Sequence, residues 1–384
     1  MSVIKLKNPF VTGHYESEEY FCDRQEEVEL LQKHIDNGRH VTLISPRRLG
    51  KTGLIEHLFA QPQMQKDYYT FFIDIYATTS LAEFVALMGK EIYRKLKPVK
   101  TRWGESFLQV VSSLRPGVKM DSMTGDFTLE LGLGDIQSAE TTLDEIFDYL
   151  EQADRHCVVA IDEFQQITCY DEKNVEAVLR TKIQHCKNVT FIYTGSSRHM
   201  ISQMFHSQAK PFYQSAIGMS LKPIPKDVYC EFACRLFRKY GKEVGKDVVA
   251  AIYDRYEGYT WYMQMMMNEL FALTRENHTC DMEMTVKAHA NIIVSQEDYY
   301  RETLNLLATK QKMLLLAMAK EYVQTRKWIT GITATAFIKK YKLPSASSVQ
   351  SALRGLTDKN IVSVNDGTYR ISDFFMMEWC ATYL

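Results

Sequence analysis

The sequence predicts an α/β chain whose core is a parallel sheet covered by helices on both faces. Three observations predict it. Short, nearly continuous apolar segments alternate with segments of helical periodicity from about residue 41 to residue 221. One apolar segment runs straight into a glycine-containing loop and then a helix, and another runs straight into two carboxylates.

The first of these segments, residues 41–45, is rich in β-branched residues and ends at Pro46, as a buried strand does. Over Lys51–Ala60 the apolar residues Leu54, Ile55, Leu58 and Phe59 recur at helical spacing until Pro62 ends the pattern. Residues 69–75, 157–161 and 189–193 read as further strands, with a fifth at 216–221. Helical segments at 81–96, 143–152 and 175–186 separate them. Residues 117–121 and 126–131 alternate around Met123-Thr-Gly125, which predicts an inserted β-hairpin within 117–131.

After Pro223 and Pro225 the pattern turns helical, at 229–240, 248–256 and 262–274. Within it, Met263, Met265, Met266 and Met267 read as core filling. The last part predicts a helix from Gln311, a short helix at 333–341, and a third at 349–359 capped by Ser345 or Ser347. Two short strands follow, joined by Asn365-Asp-Gly367, a strong hairpin signal. Three helices and a hairpin are the layout of a winged helix-turn-helix. The expected domains are 1–222 with the sheet and the inserted hairpin, 223–300 helical, and 301–384 winged helix.

The chemistry lies at two strand ends. Ser45, Pro46, Arg47, Arg48, Leu49, Gly50, Lys51 and Thr52 have the spacing GxxxxGK[ST], with Ser at the first position and Gly53 following. Backbone N–H groups of such a loop, and of the helix behind it, have no intrahelical partner and cradle phosphates. Lys51 would bridge the β- and γ-phosphates and Thr52 would ligate Mg²⁺. Val158-Val-Ala-Ile-Asp162-Glu163 brings two carboxylates to the carboxyl edge of the sheet, where open α/β sheets bind ligands. Asp162 can hold Mg²⁺ through water, and Glu163 can orient and polarise an attacking water. Thr194-Gly-Ser196-Ser197 ends another strand, so Thr194 or Ser196 could sense a terminal phosphate. An extra cation for phosphoryl transfer would come from Arg47, Arg48, Arg198 or a neighbouring subunit.

Composition narrows the class. The 384 residues are 46% hydrophobic and 24% charged, with a net charge of −1, so the whole chain carries no polyanion-binding signature. The charge is uneven: residues 301–359 hold eleven Lys/Arg against three Asp/Glu, an excess of +8, and any DNA contact is expected there. Eight scattered cysteines without a CxxC pair fit reduced thiols, and the N-terminal residues lack the apolar run of an export signal. The most hydrophobic run, 313–319, is far short of the roughly 20 residues a membrane span needs. A cytoplasmic protein without a membrane segment is expected.

Together these motifs resemble the archaeal-type ATPases of the STAND group within the AAA+ and P-loop superfamily. Ser-Pro-Arg-Arg-Leu-Gly-Lys-Thr is close to the family's Gly-Pro-Arg-Arg-x-Gly-Lys-Thr, and Ile161-Asp-Glu-Phe-Gln165 is similar to its Walker B motif. Phe21-Cys-Asp23-Arg24 resembles the family's N-terminal Gly-Arg motif near the adenine, with Asp23 in the glycine's place, which assigns Arg24 to the nucleotide. Tyr193-Thr-Gly-Ser196 is similar to the sensor strand, and Gly258-Tyr-Thr260 to a Gly-x-Pro in the helical domain. Residues 369–379 resemble the close of the winged helix, while Gln214 stands where relatives often carry an arginine. The resemblance implies a P-loop NTPase sheet of order 5-1-4-3-2, a helical lid and a winged helix. It also implies ATP and ADP as ligands with Mg²⁺, slow hydrolysis that resets a conformational switch, an unidentified protein partner and a possible homo-oligomer. Two other readings remain: an ATP-regulated DNA-binding protein, and a nucleotide-binding scaffold without turnover.

Overall fold

The computed structural model describes residues 6–96, 118–120, 127–129 and 139–382. By internal packing the chain divides into two compact units, 13–229 and a second made of the N-terminal residues through Thr12 together with 230 onward.

The first unit holds strands β1 (Val41–Ile44), β2 (Tyr68–Asp74), β3 (Val118–Met120), β4 (Phe127–Leu129), β5 (His156–Asp162), β6 (Val189–Gly195) and β7 (Ile217–Ser220). Five of them form one sheet in the order β2-β5-β6-β1-β7 with every pair parallel. Numbered among themselves these strands run 5-1-4-3-2, the order that the resemblance implied. β3 and β4 pair antiparallel, Met120 opposite Phe127, as a separate ladder. The rest of the predicted hairpin lies outside the described residues.

Side chains alternate along β5, so one strand feeds two cores. Val159 and Ile161 join Phe71, Phe191 and Tyr193 under the helices α4 (Leu81–Lys95), α5 (Ala139–Glu151), α6 (Val175–His185) and α7 (Arg198–His206). Val158 and Ala160 join Ile192 and Leu43 under α1 (Gln25–Asp36) and α2 (Lys51–Ala60). Because both faces are covered, β5 and β6 read as unbroken apolar runs. Pro62 does not end helical structure. It opens a short helix, α3 (Pro62–Asp67), at the N-terminal position where a missing N–H costs nothing.

The second unit contains α8 (Lys226–Lys239), which begins just before the boundary, then α9 (Lys246–Arg255), α10 (Thr260–Leu273) and α11 (Met282–Asn305). Met263, Met266 and Met267 of α10 are buried core residues. Thr260 occupies the first position of α10, where proline is otherwise favoured. α12 (Thr309–Thr325), α13 (Thr335–Tyr341), α14 (Ala346–Asp358), β8 (Val362–Asn365), β9 (Thr368–Ile371) and α15 (Phe374–Thr382) complete a winged helix. Ser345 caps α14 by accepting from the Ser348 N–H, and Asp366 and Gly367 both take positive φ, as a tight hairpin turn needs. The N-terminal segment joins this unit: Phe10 is fully buried among Phe232, Phe237 and Phe271, and Asn268 donates to its carbonyl at 2.7 Å. Among the described residues no helix is long and apolar enough to cross a membrane.

Two ion clusters fasten the second unit internally. Arg370, 2% exposed, pairs with Glu257 at 2.6 Å, and Tyr322 donates to the same carboxylate at 2.7 Å. Glu378 of α15 accepts from Arg255 at 3.0 and 3.1 Å, from Arg326 at 3.1 Å and from His289 at 2.6 Å. Burial pushes the Glu378 carboxyl up, but the His289 hydrogen bond and the Arg255 charge outweigh it and hold it at about 2. A carboxyl depressed in the folded state stabilises that state above its unfolded pKa, near 4.5, and loses the contribution as pH falls toward 2. Glu378→Gln leaves the cations facing a neutral amide and is expected to lower stability by about 1–3 kcal/mol at neutral pH. Denaturation monitored from pH 7 to pH 2 should show the gap between wild type and variant closing over the acid window.

Candidate nucleotide site

β1 delivers the chain into the phosphate loop, and the loop's backbone is shaped by two left-handed residues, Arg48 (φ 69°) and Gly50 (φ 91°). Gly50 stands at the cap of α2, so the first N–H groups of that helix open toward the loop. Ser45 takes no positive φ, which is why a serine can replace the glycine of the pattern there. Its hydroxyl, buried, donates to the Pro46 carbonyl at 3.2 Å. Lys51 is buried along the loop, its Nζ donating to the Ser45 carbonyl at 3.0 Å and the Pro46 carbonyl at 3.3 Å. Burial lowers its pKa, the carboxylates of Glu163 and Asp162 pull it back up, and Arg47 adds to the lowering.

Asp162 ends β5 and is nearly buried, and three groups orient it. Thr52 Oγ1 donates to one carboxylate oxygen at 3.1 Å, while Thr194 Oγ1 and, at 3.0 Å, the Glu163 N–H donate to the other. Thr194 is itself fully buried, so its hydroxyl serves Asp162. The loop residue and the strand-end carboxylate predicted to share a metal are therefore in direct contact.

Glu163 sits in the left-handed region at φ 55°. Its Oε2 accepts from the Ser196 N–H at 3.2 Å, from the Ser196 hydroxyl at 2.8 Å and from the Gln165 side-chain amide. Burial pushes this carboxyl up, but those hydrogen bonds and the Lys51 charge bring it below the usual range. A Cβ on Gly195 would lie 2.2 Å from Gln165 Oε1 and 2.6 Å from Ile201 Cγ1, so a larger residue at 195 would have to displace both side chains. Arg47 leaves the loop to donate from Nε to Ser196 Oγ at 3.0 Å and lies 5.6 Å over the Tyr76 ring.

Arg24 reaches the loop from outside the sheet. It is 3% exposed, pairs with Glu27 at 2.6 Å and donates to the Leu49 carbonyl at 3.4 Å. Asp23 has φ 60°, which accounts for the glycine usual at that place in the motif it resembles. Phe21 stacks on His57 of α2 at 4.3 Å. Arg198 opens α7, and its side chain lies outside the described residues.

Sequence reasoning missed Asp74, Tyr76 and the role of Gln165. Asp74 closes β2 in register with Asp162, and the signal that found Asp162, a carboxylate ending an apolar strand, would have found it. Burial raises its pKa against a hydrogen bond from the Tyr76 N–H, and the charges of Asp162 and Glu163 add to the rise.

Residues 21–266 match the family described as the ATPase domain predominantly from Archaea, and residues 298–382 match a probable winged helix domain. Among solved structures, the Walker-type ATPase of Pyrococcus abyssi is 20% identical with a TM-score of 0.62, over 97% of this chain and 99% of that one. The ORC2 protein of Aeropyrum pernix, in ADPNP and ADP complexes, is 13% identical with a TM-score of 0.59, over 98% and 96%. The ORC1 protein of Aeropyrum pernix, in complex with DNA, is 12% identical with a TM-score of 0.52, over 94% and 93%. At these identities the likeness is one of fold. No curated protein matches the chain. The family match takes in more than half of the sequence and contains both strand-end motifs, so this chain belongs to the ATPase domains found predominantly in Archaea, nucleotide-binding ATPases, and carries a winged helix after them.

Proposed function

We propose that the chain binds ATP with Mg²⁺ over the N-terminus of α2 and hydrolyses it slowly as a conformational switch of the STAND type. The observation that carries this reading is the 3.1 Å contact between Thr52 and Asp162, which joins the phosphate loop to the end of β5. A hydroxyl and a carboxylate are oxygen donors of the kind Mg²⁺ takes when substrate phosphates and water supply the rest. Among the described residues no cluster of three or more His, Cys, Asp and Glu could hold a metal without such help. Bound there, Mg²⁺ would neutralise charge developing on the phosphates.

The protein's own groups divide the remaining work. Lys51, held at the loop, turns from two carbonyls to the β- and γ-phosphates. N–H groups of Ser45 and of Arg47 to Gly53 cradle the phosphate oxygens. Arg24 fixes the loop through Leu49, and Glu163 orients the attacking water. Eight free cysteines suit a reducing compartment such as the cytoplasm. The protein partner and any homo-oligomer belong to the switch reading, in which nucleotide state selects what the second unit engages.

DNA binding through the winged helix is a second reading, favoured by one observation. Gln350, Ser351 and Arg354 are exposed on α14, with Lys339 and Lys342 exposed on and just after α13, whereas Lys340 is paired with Glu321. These cations would contact phosphates, and the ORC1 structure of similar fold was solved with DNA.

Calorimetry should show Mg²⁺-dependent ATP affinity that Lys51→Ala lowers by roughly 10- to 150-fold, the worth of a charged hydrogen bond. Glu163→Gln should retain ATP while phosphate release falls about 10²- to 10⁴-fold, and unchanged release would remove Glu163 from its role. Binding without release by wild type would identify a scaffold. For DNA, duplex affinity should fall steeply with salt, and Arg354→Ala with Lys342→Ala should flatten that slope. A salt-independent or undetectable interaction excludes the second reading.

A further inference from the structure

The sheet ends at β2, and the outer edge of that strand is open. Ile75, the residue after it, donates its N–H to the Asp162 carbonyl at 3.2 Å, so the odd-numbered residues of β2 face β5 and the backbone groups of Thr70 and Phe72 face away from the sheet. Lys95, at the end of α4, donates from its ammonium to the Thr70 carbonyl. Among the described residues no hydrogen bond reaches the Thr70 N–H, or the N–H and carbonyl of Phe72. Such an edge is a template for another strand.

A cleft of about 670 Å³ lies along this edge, walled by Tyr68, Tyr69, Thr70 and Phe72 of β2 and by Lys95 and Arg155. Its carboxylates are already engaged: Glu91 takes Arg94 at 2.7 Å, and Glu56 accepts from the Tyr15 N–H at 3.0 Å. The other two cations are not ion-paired among the described residues. Arg155 donates to the Gln65 and Lys66 carbonyls at 3.1 and 3.0 Å and lies 3.8 Å over the Tyr69 ring. Lys95 lies 6.0 Å over the Phe71 ring, and burial and the Arg94 charge lower its pKa more than Glu91 raises it. Tyr69 and Phe71 point to one face of the strand, so both cations stand on that face, while Phe72 points to the other. A lysine laid across an edge usually guards it. This one covers a single carbonyl and leaves Phe72 open.

From these observations we propose that the β2 edge docks an extended segment of a partner protein in which acidic and apolar residues alternate, and that the segment adds to the sheet as one more strand. Its backbone pairs with Thr70 and Phe72. Its carboxylates fall on the face of Lys95 and Arg155, and its apolar side chains fall on the face of Phe72, as the alternation of a strand requires. A carboxylate draws Lys95 off the Thr70 carbonyl, because a bond between two opposite charges outweighs one from the ammonium to a neutral oxygen. That carbonyl then accepts from the new strand. A neutral or basic segment offers Lys95 nothing in exchange, so the lysine that closes the edge to other strands selects an acidic one. The inference is independent of the nucleotide reading.

The test uses the full chain with a peptide as long as β2 that alternates glutamate with valine, beside its lysine counterpart, read by fluorescence anisotropy and amide hydrogen exchange. The glutamate peptide should bind and slow exchange at Thr70 and Phe72 about tenfold, and the lysine peptide should do neither. Thr70→Pro removes an outward N–H without touching the ladder between β2 and β5, and should weaken the glutamate peptide about fivefold at an unchanged melting temperature. Lys95→Glu should reverse the preference, so that the lysine peptide binds. Slow exchange at Thr70 and Phe72 in the protein alone would show the edge already covered within the chain and overturn the proposal. Equal binding of both peptides or binding of neither would overturn it too. So would full affinity for the glutamate peptide in Thr70→Pro, which would leave a charged patch and no added strand. Lys95 is exposed, so Lys95→Glu and the exchange measurement decide the matter where Thr70→Pro folds poorly.

Discussion

The chemistry of this chain depends on three parallel strands ending level with one another. Ile161 of β5 lies opposite Tyr193 of β6, and Leu43 of β1 lies opposite Thr194, so Asp162, Thr194 and the start of the phosphate loop emerge along one edge. Parallel strands spaced about 4.8 Å apart bring such groups within reach of each other without any loop having to travel. A slip of one residue in β5 would send Asp162 to the opposite face and leave Thr52 and Thr194 without their shared acceptor. The two cores on either side of the sheet hold that register, because a slip would also exchange Val158 with Val159 between them.

Much of this is legible in the amino-acid order alone. Strands buried on both faces betray themselves as apolar runs, and the two motifs keep their residues adjacent, so Lys51, Thr52, Asp162 and Glu163, the residues proposed for the site, stand out in the sequence. The 5-1-4-3-2 order comes from family likeness, since no run of residues encodes which strand neighbours which. What stays hidden depends on register or on distant pairing. Arg47 meets Ser196 and Asp74 lines up with Asp162 only once the sheet is assembled. The cluster on Glu378 draws on positions 255, 289 and 326, each unremarkable alone.

Among the helices that the sequence does not mark, α11 and α3 escape a reading of periodicity for physical reasons of their own. α11 exposes Val286 and Val294, each about two-thirds accessible, so its apolar residues do not fall on a single inward stripe. α3 hides behind a proline that usually reads as a stop. In α12 and α14, by contrast, buried residues recur at helical spacing and the elements are recognisable.

The course of the first dozen residues bears on how the protein can be handled and cut. Because Phe10 sits in the aromatic core of the unit that otherwise begins at Cys230, the backbone passes between the two units twice, once at each end of the sheet-bearing part. A protease nick near residue 229 would leave residues 230 onward held to the rest only through the packing of Phe10 and its neighbours, with no covalent link. Removing only residues 1–12 would instead hollow out the second unit, whose aromatic core Phe10 fills, and leave Tyr15 in place against Glu56 and His57 of α2 in the first.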